Sequence, residues 1–255
     1  MPAYIIIRDM PDAADRPRLR EALATPDGKR RYVSRLFSTI ADRYDLITVL
    51  LSYGQDRRWK ERLVAMAAVD APDGSSRALD LACGTGDLAY ALHARGARVV
   101  GLDLTSRMIE LARGKASGDA RPAFLVGDMM ALPFADESFD LVTTGYGIRN
   151  VPAIAPALAE IRRVLRPAGV LLSLDFNRPS NPFVRSVYLG YLTVVGSTLG
   201  LALHGDPDTY RYIPESIRRY PGAAGVCAIA RDQGFTTCEA RRVLGGLMAI
   251  HRAVR

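Results

Sequence analysis

A short apolar strand running straight into a glycine turn constrains this chain more than any other feature: Ala78-Leu79-Asp80-Leu81-Ala82, then Cys83-Gly84-Thr85-Gly86-Asp87. The next apolar run ends in another acid, Asp103. A strand, a turn whose glycines let backbone approach a ligand, a helix, and a carboxylate about twenty residues on for ribose hydroxyls together open a nucleotide-binding α/β domain. The turn lacks the third glycine of GxGxxG, and the carboxylates at its two ends, Asp80 and Asp87, would repel a pyrophosphate. A cationic nucleoside suits it better. S-adenosylmethionine has a ribose for Asp103, an ammonium and a sulfonium for an acidic loop, and no phosphate. Gly84, Thr85 and Gly86, with Leu104 beside Asp103, are the expected turn and strand-end contacts.

Downstream, strand-like runs at 99–102, 123–126, 141–144 and 170–176 alternate with helical patterns at 87–94, 106–115 and 155–165, which predicts a doubly wound, mostly parallel sheet. Ser106 is the expected N-cap of its helix, and Pro167-Ala168-Gly169 closes the last one. Two β-rich runs, 235–243 and 247–253, joined by Gly245-Gly246, predict a terminal antiparallel hairpin. Residues 29–70 read as a helical cap, with Val33, Leu36, Phe37, Ile40 and Ala41 at helical spacing and a second piece through Trp59 and Leu63. Residues 71–76 form a turn-rich linker, and residues 1–28 read as a loose arm. The run 186–203 is uncharged, but its glycines, serines and threonines dilute it. It is expected to be a helix within an insertion, 178–222, that covers an apolar substrate pocket rather than a membrane span.

The chain has 255 residues, 49% of them hydrophobic, enough for one large domain with a full core. Its three cysteines are far apart and match neither a disulfide framework nor a zinc site, so no metal is expected and the reducing cytoplasm is the default compartment. The N-terminus has no long apolar core of the signal-peptide kind. A net charge of +7, with clusters at Lys29-Arg30-Arg31-Arg35 and Arg57-Arg58-Lys60-Arg62, favours anionic surfaces. No aromatic residues interleave these clusters, which argues against a nucleic-acid groove.

Two further strand ends carry the chemistry. Asp128 in Gly127-Asp128-Met129-Met130 can accept from an adenine amino group, and Met129 offers a polarizable contact to its ring. Gly145-Tyr146-Gly147-Ile148-Arg149-Asn150 ends the next strand, at the sheet edge where substrate meets cofactor. The Asn/Asp-Pro-Pro-aromatic sequence of base and glutamine amino methyltransferases is absent there. Segments outside the cofactor fold are more distinctive: residues 37–45 with Tyr44-Asp45, Leu51-Ser52-Tyr53-Gly54 with Trp59, Gly147-Ile148-Arg149-Asn150-Val151, Arg163-Val164-Leu165-Arg166-Pro167, residues 210–217 with Tyr210-Arg211-Tyr212, and Gly245-Gly246 through His251-Arg252. From about residue 30 onward the chain resembles the ubiquinone/menaquinone biosynthesis C-methyltransferase family.

The resemblance implies an α/β, Rossmann-like seven-stranded methyltransferase fold that binds S-adenosylmethionine and methylates a ring carbon of a lipophilic prenylated quinol, menaquinone-type ahead of ubiquinone-type. Arg149 with Asn150 would stabilise the phenolate, with Tyr44, Asp45 and His204 as partners; Gly145 would line the cofactor site. It also implies peripheral contact with an anionic membrane surface at its cytoplasmic face, and leaves a homodimer open. The chain departs from the family's usual residues at Ile47-Thr48, Asp56, Ala168 and Asp175-Phe176-Asn177; the first three positions border the expected substrate entrance and bear on the acceptor more than on the reaction. Methylation of a soluble aromatic metabolite and a non-catalytic S-adenosylmethionine-binding subunit remain alternative readings.

Overall fold

The computed structural model describes residues 19–52, 54–68, 75–115 and 121–255. Tyr53 and most of the expected 71–76 linker lie outside them, as do residues 1–18 of the expected arm; residues 19–28 are not loose, since α1 (Leu19–Ala22) is helical and α2 (Pro26–Ile40) begins inside that stretch. Thr25 caps α2 by accepting from the Gly28 amide at 3.1 Å, with Pro26 at the first helical position, where its missing N–H is no loss. A 3-10 turn leads into α3 (Tyr44–Leu51), followed by α4 (Asp56–Ala65).

The remainder is a sheet with helices on both faces. Its elements are β1 (Arg77–Leu81), α5 (Asp87–His93), β2 (Arg98–Asp103), α6 (Ser106–Gly114), β3 (Ala123–Val126), β4 (Phe139–Gly145), α7 (Ile154–Val164), β5 (Leu165–Phe176), α8 (Pro182–His204), α9 (Tyr212–Arg219), α10 (Gly222–Asp232), β6 (Thr237–Val243) and β7 (Met248–Val254). The strand order is β3-β2-β1-β4-β5-β7-β6, parallel through β5, with β7 antiparallel to both its neighbours. The chain leaves β1 in one direction for β2 and returns on the other side for β4. The carboxyl ends of β1 and β4 therefore flank the crevice where open α/β sheets bind ligands. Leu81, Val142 and Leu171 pack toward α7 and α10, while Ala78, Leu141 and Leu172 pack toward α4, α5 and α6, as the alternation of side chains along a strand demands.

Several local expectations are displaced. Thr105, not Ser106, is the residue before α6, and it caps through its position rather than its side chain. Helix α7 ends at Val164, and β5 starts at Leu165. Its register against β4 breaks between Phe139 and Leu141, a bulge that accommodates Pro167, which has no N–H to donate, and Ala168 at φ 62°. Cys227 on α10 and Cys238 on β6 are bonded, because the packing of that helix on that strand brings their Cα atoms to 5.1 Å. The wide spacing of the cysteines did not announce that link.

Thr144, Ser173 and His251 stand side by side on β4, β5 and β7. All three are buried, and none of their side-chain polar atoms has a well-formed hydrogen bond; backbone of Ala223 and Ser173 only approaches the imidazole. Burial pushes His251 down to about 4. The unfolded chain takes up this proton near the ordinary histidine value, so stability is complete above about pH 6.5 and is lost as pH falls toward 4, by up to roughly 3 kcal/mol. The His251→Gln variant should show a flatter loss of thermal stability across that window, measured by calorimetry from pH 7 to pH 4.

Candidate active site

The turn after β1 is shaped by its glycines. Gly86 has φ 87°, and a Cβ there would meet the Phe124 ring at 2.9 Å, so the turn closes onto β3 only with glycine at that position. Above it lies a cavity lined by Gly84, Asp103, Leu104, Asp128, Met129, Gly145, Asn150 and Tyr44, with Arg30, Val33, Ser34 and Phe37 of α2 as its roof. A smaller compartment continues it past Gly145, lined by Asp80, Cys83, Thr85, Asp87, Lys60 and Tyr146. Among the expected site residues, Gly86, Arg149, Asp45 and His204 stand outside both linings, the first as the turn's hinge.

Each acid is prepared differently. Asp103 accepts from the Gly84 and Thr105 amides at 2.9 and 2.8 Å, which fixes its carboxylate at the mouth of the turn; burial still raises its pKa. Asp128 accepts from the Met130 amide at 2.9 Å, and its second oxygen pairs with Arg30 at 2.9 Å. An incoming adenine amine would share that oxygen with Arg30. Asp80 is buried, with one oxygen bound to Thr143 at 2.8 Å and the other without a hydrogen bond; burial drives it up to about 7. A diol-facing carboxylate, an apolar wall with a thioether, and an unpartnered buried acid suit a cationic nucleoside.

Thr85 is more engaged than a free ligand contact. Its hydroxyl donates to Asp45 at 2.6 Å and accepts from Lys115 at 2.9 Å. Lys115 also pairs with Asp87 at 2.7 Å and Asp45 at 2.9 Å, while Lys60 joins Asp87 at 2.9 Å to Asp56 at 2.7 Å. Alternating charges thus clip α3 and α4 to the glycine turn. Burial raises Tyr44 to about 12, so its hydroxyl keeps its proton.

Arg149 lies behind the cavity rather than in its lining. Its Nε is 2.9 Å from Asp175 Oδ1 in a buried ion pair that is close but not aligned as a hydrogen bond, and its backbone N–H donates to the other Asp175 oxygen at 3.0 Å. One terminal nitrogen donates to Ser216 at 2.9 Å and to Asn150 at 3.2 Å, and the guanidinium sits 4.8 Å from the centre of the Phe176 ring. Asn150 in turn donates to the Tyr146 carbonyl at 2.7 Å and accepts from the Tyr212 hydroxyl at 3.0 Å. The segment 210–217 therefore braces the Arg149-Asn150 loop. His204 does not join it; it hydrogen-bonds Tyr210 at 2.9 Å, at the end of α8.

Asp175, Ser216, Tyr146 and Lys60 had no assigned role in the sequence, although Asp175 stands at the carboxyl end of β5, where the edge rule would have placed a functional acid. Asp56 lies between the closed site and an outer groove that Thr48 also lines. It is buried, and it accepts from the Tyr146 hydroxyl at 2.6 Å. Tyr146 itself holds φ 62°, a conformation that costs a bulky residue on the order of 1–3 kcal/mol and that tends to mark functional sites.

A family model described as the ubiE/COQ5 methyltransferase family matches residues 25–255. The chain belongs to that family. It is 42% identical over 230 residues to the ubiquinone/menaquinone biosynthesis C-methyltransferase UbiE of Dinoroseobacter shibae, covering 88% of this chain and 91% of that one. It is also 42% identical over 219 residues to the demethylmenaquinone methyltransferase of Thermus thermophilus, covering 85% and 98%. In fold it is similar to the magnesium protoporphyrin IX methyltransferase of Synechocystis with bound S-adenosylhomocysteine, at TM-score 0.63 and 20% identity, over 89% of this chain and 99% of that one. The fold is that of S-adenosylmethionine-dependent methyltransferases, and the chain is a methyltransferase.

The Asp80 geometry makes a prediction about the methyl donor. An acid that titrates near pH 7 attracts an ammonium only when ionised, so S-adenosylmethionine affinity should weaken about tenfold for each pH unit below 7. Calorimetric titration at pH 6 and pH 8 checks this, and the Asp80→Asn variant should bind weakly at both.

Proposed function

We propose that this protein transfers the methyl group of S-adenosylmethionine to a ring carbon of a reduced, prenylated quinol, demethylmenaquinol first and the ubiquinone-pathway quinol second. The observation that carries the reading is Arg149, a buried guanidinium held by Asp175 and Ser216 over the Phe176 ring, next in the chain to Asn150, which lines the cofactor cavity. The names of the curated relatives support the same acceptor.

Asp103 would take the ribose diol, Asp128 and Met129 the adenine, Asp80 the ammonium, with Gly84, Thr85, Gly86, Leu104 and Gly145 shaping the path between them. When bound, the cofactor supplies a methyl group on a sulfonium whose thioether leaves readily. The protein's share is alignment and exclusion of water, and positioning alone can supply about 7 to 11 kcal/mol. It must also enrich the acceptor ring. The Arg149 guanidinium would stabilise a phenolate, but, already protonated and with no lone pair to accept a further proton, it is no base. Asn150, fixed through Tyr146 and Tyr212, orients the same oxygen.

The substrate's tail calls for an apolar surface. Helix α8 is the one described helix long and apolar enough to cross a membrane by length and composition, with 22% of its apolar window buried. Its Phe183, Val187, Val194 and Leu201 are exposed, at 77, 57, 67 and 60%. Leu46, Val49 and Leu50 of α3 are also exposed, and the two helices adjoin through Leu51, Leu199 and Leu203. This surface would lie on the bilayer, with exposed Arg178 beside its leading end meeting anionic headgroups.

Two measurements test the reading. The Arg149→Lys variant should turn over demethylmenaquinol about 10²- to 10³-fold more slowly, with S-adenosylmethionine affinity unchanged, since a Lys cannot hold the same fork of donors. Product formed equally from the oxidised quinone would sink the phenolate chemistry. The double variant Val187→Glu, Val194→Glu should sediment less with anionic vesicles while methylating a short-tailed quinol at the parental rate.

A further inference from the structure

Quinol methylation on the reading above needs a proton acceptor, and Arg149 is not one. Tyr146 stands in the right place. It follows β4 directly, lines both compartments of the cofactor cavity, and packs its ring 5.6 Å from Phe176, on whose face Arg149 lies. Its left-handed backbone is pinned on both sides, by its own N–H donating to Leu174 at 2.7 Å and by Asn150 donating to its carbonyl. A buried hydroxyl held in this way points in one direction, and it points at Asp56.

Asp56 is the first residue of α4. Its second oxygen is bound by Lys60, which passes on to Asp87, and Asp87 to Lys115 at the half-exposed surface. Asp56, Lys60, Asp87 and Asp45 also line a wide groove of about 810 Å³ between α3, α4 and α5. Asp56 therefore forms the partition between the closed site and this groove, in touch with the site through one hydroxyl.

We propose that Tyr146 and Asp56 form a proton relay for the methyl transfer, carrying the quinol hydroxyl proton out of the closed site to the α3–α4–α5 groove. The substrate O–H bond breaks as its proton binds Tyr146 Oη, and Tyr146's own proton passes to Asp56 Oδ1. The substrate oxygen keeps the electron pair as a phenolate, Tyr146 ends as it began, and Asp56 becomes a neutral acid. Lys60 remains charged and keeps its pair with Asp87. Asp56 then releases its proton to water in the groove. The hydrogen displaced from the ring carbon returns to the phenolate oxygen, so one proton leaves for each methyl group added. The groups facing Asp56 are Tyr146 from the end of β4, Lys60 from its own helix and Tyr44 from α3, with Asp87 of α5 reached through Lys60. Burial and the Asp56 charge hold the Tyr146 hydroxyl well above its ordinary value, so it serves as a conduit and not as a resting phenolate.

The test uses the full chain with two readouts. In the first, Asp56→Asn and Tyr146→Phe should each lower kcat for reduced demethylmenaquinol about 10²-fold or more, with S-adenosylmethionine affinity and thermal midpoint close to the parent, and Asp56→Glu should recover a large part of the rate. In the second, 1-naphthol, a redox-silent probe, is titrated into parent and variants while the naphtholate band is followed by absorbance. The parent should bind part of the probe as naphtholate, and both Asp56→Asn and Tyr146→Phe should abolish the band. Parental kcat in either variant overturns the relay. So does a rate loss that Asp56→Glu fails to recover while the naphtholate band persists, because that marks a structural role. If the parent itself does not methylate the quinol, the functional reading above fails, and the naphthol titration still decides the relay.

Discussion

A guanidinium and a carboxylate shut away from water, Arg149 and Asp175, govern how the rest of this structure closes. The pair joins the loop after β4 to the end of β5, two strands that already run side by side. Taking both charges out of water is costly, and the pair persists because Asp175 also accepts two backbone N–H bonds and Arg149 also donates to Ser216 and Asn150. Losing either partner would strand a buried charge. The segment from α8 to α9 is therefore not a free appendage; it reaches the sheet through Ser216 and Tyr212 and seals the pair from above.

On the opposite side of the crevice the logic is inverted. There the acids outnumber their partners at the ligand, and the lysines sit behind them. Lys60 and Lys115 neutralise Asp56, Asp87 and Asp45, so α3 and α4 are held against the glycine turn, and Lys60 itself lines the compartment that holds Asp80. Asp80 alone is left with an unbound oxygen in this row, facing the compartment past Gly145. On the function proposed above, the acidic half would take the donor and the half anchored by Arg149 the acceptor, with Tyr146 lining both compartments between them.

Much of this was legible from local pattern. The β1 turn, Asp103, Asp128 and the Gly145-Asn150 segment could be placed because strands in a doubly wound sheet deliver their carboxyl ends to one edge, and each strand is recognisable from its own few residues. The terminal hairpin was equally plain from Gly245-Gly246, both at positive φ. The start of β5 was not. Proline and glycine at 167–169 read as a stop, whereas pairing with β4 carried the strand across them as a bulge. Helix α2 was taken up too late for a similar reason: Pro26 and Gly28 look like loop residues until Thr25 caps them.

The sequence by itself determined the succession of the seven strands and the helices between the first five, the acidic glycine turn and the family, because these depend on residues near one another in the chain; helix α10 was not among them. Tertiary structure alone decided what each polar side chain does. Asp56 lies 90 positions from Tyr146, Ser216 lies 67 from Arg149, and Lys29 spans 120 to hold the Arg149 carbonyl at 3.0 Å. Such pairings leave no periodic trace, since a buried polar group needs only some partner of the right geometry and the fold, not the local sequence, supplies it. The Cys227–Cys238 bond and the buried His251 belong to the same class, set by the way α10 lies on β6 and β7.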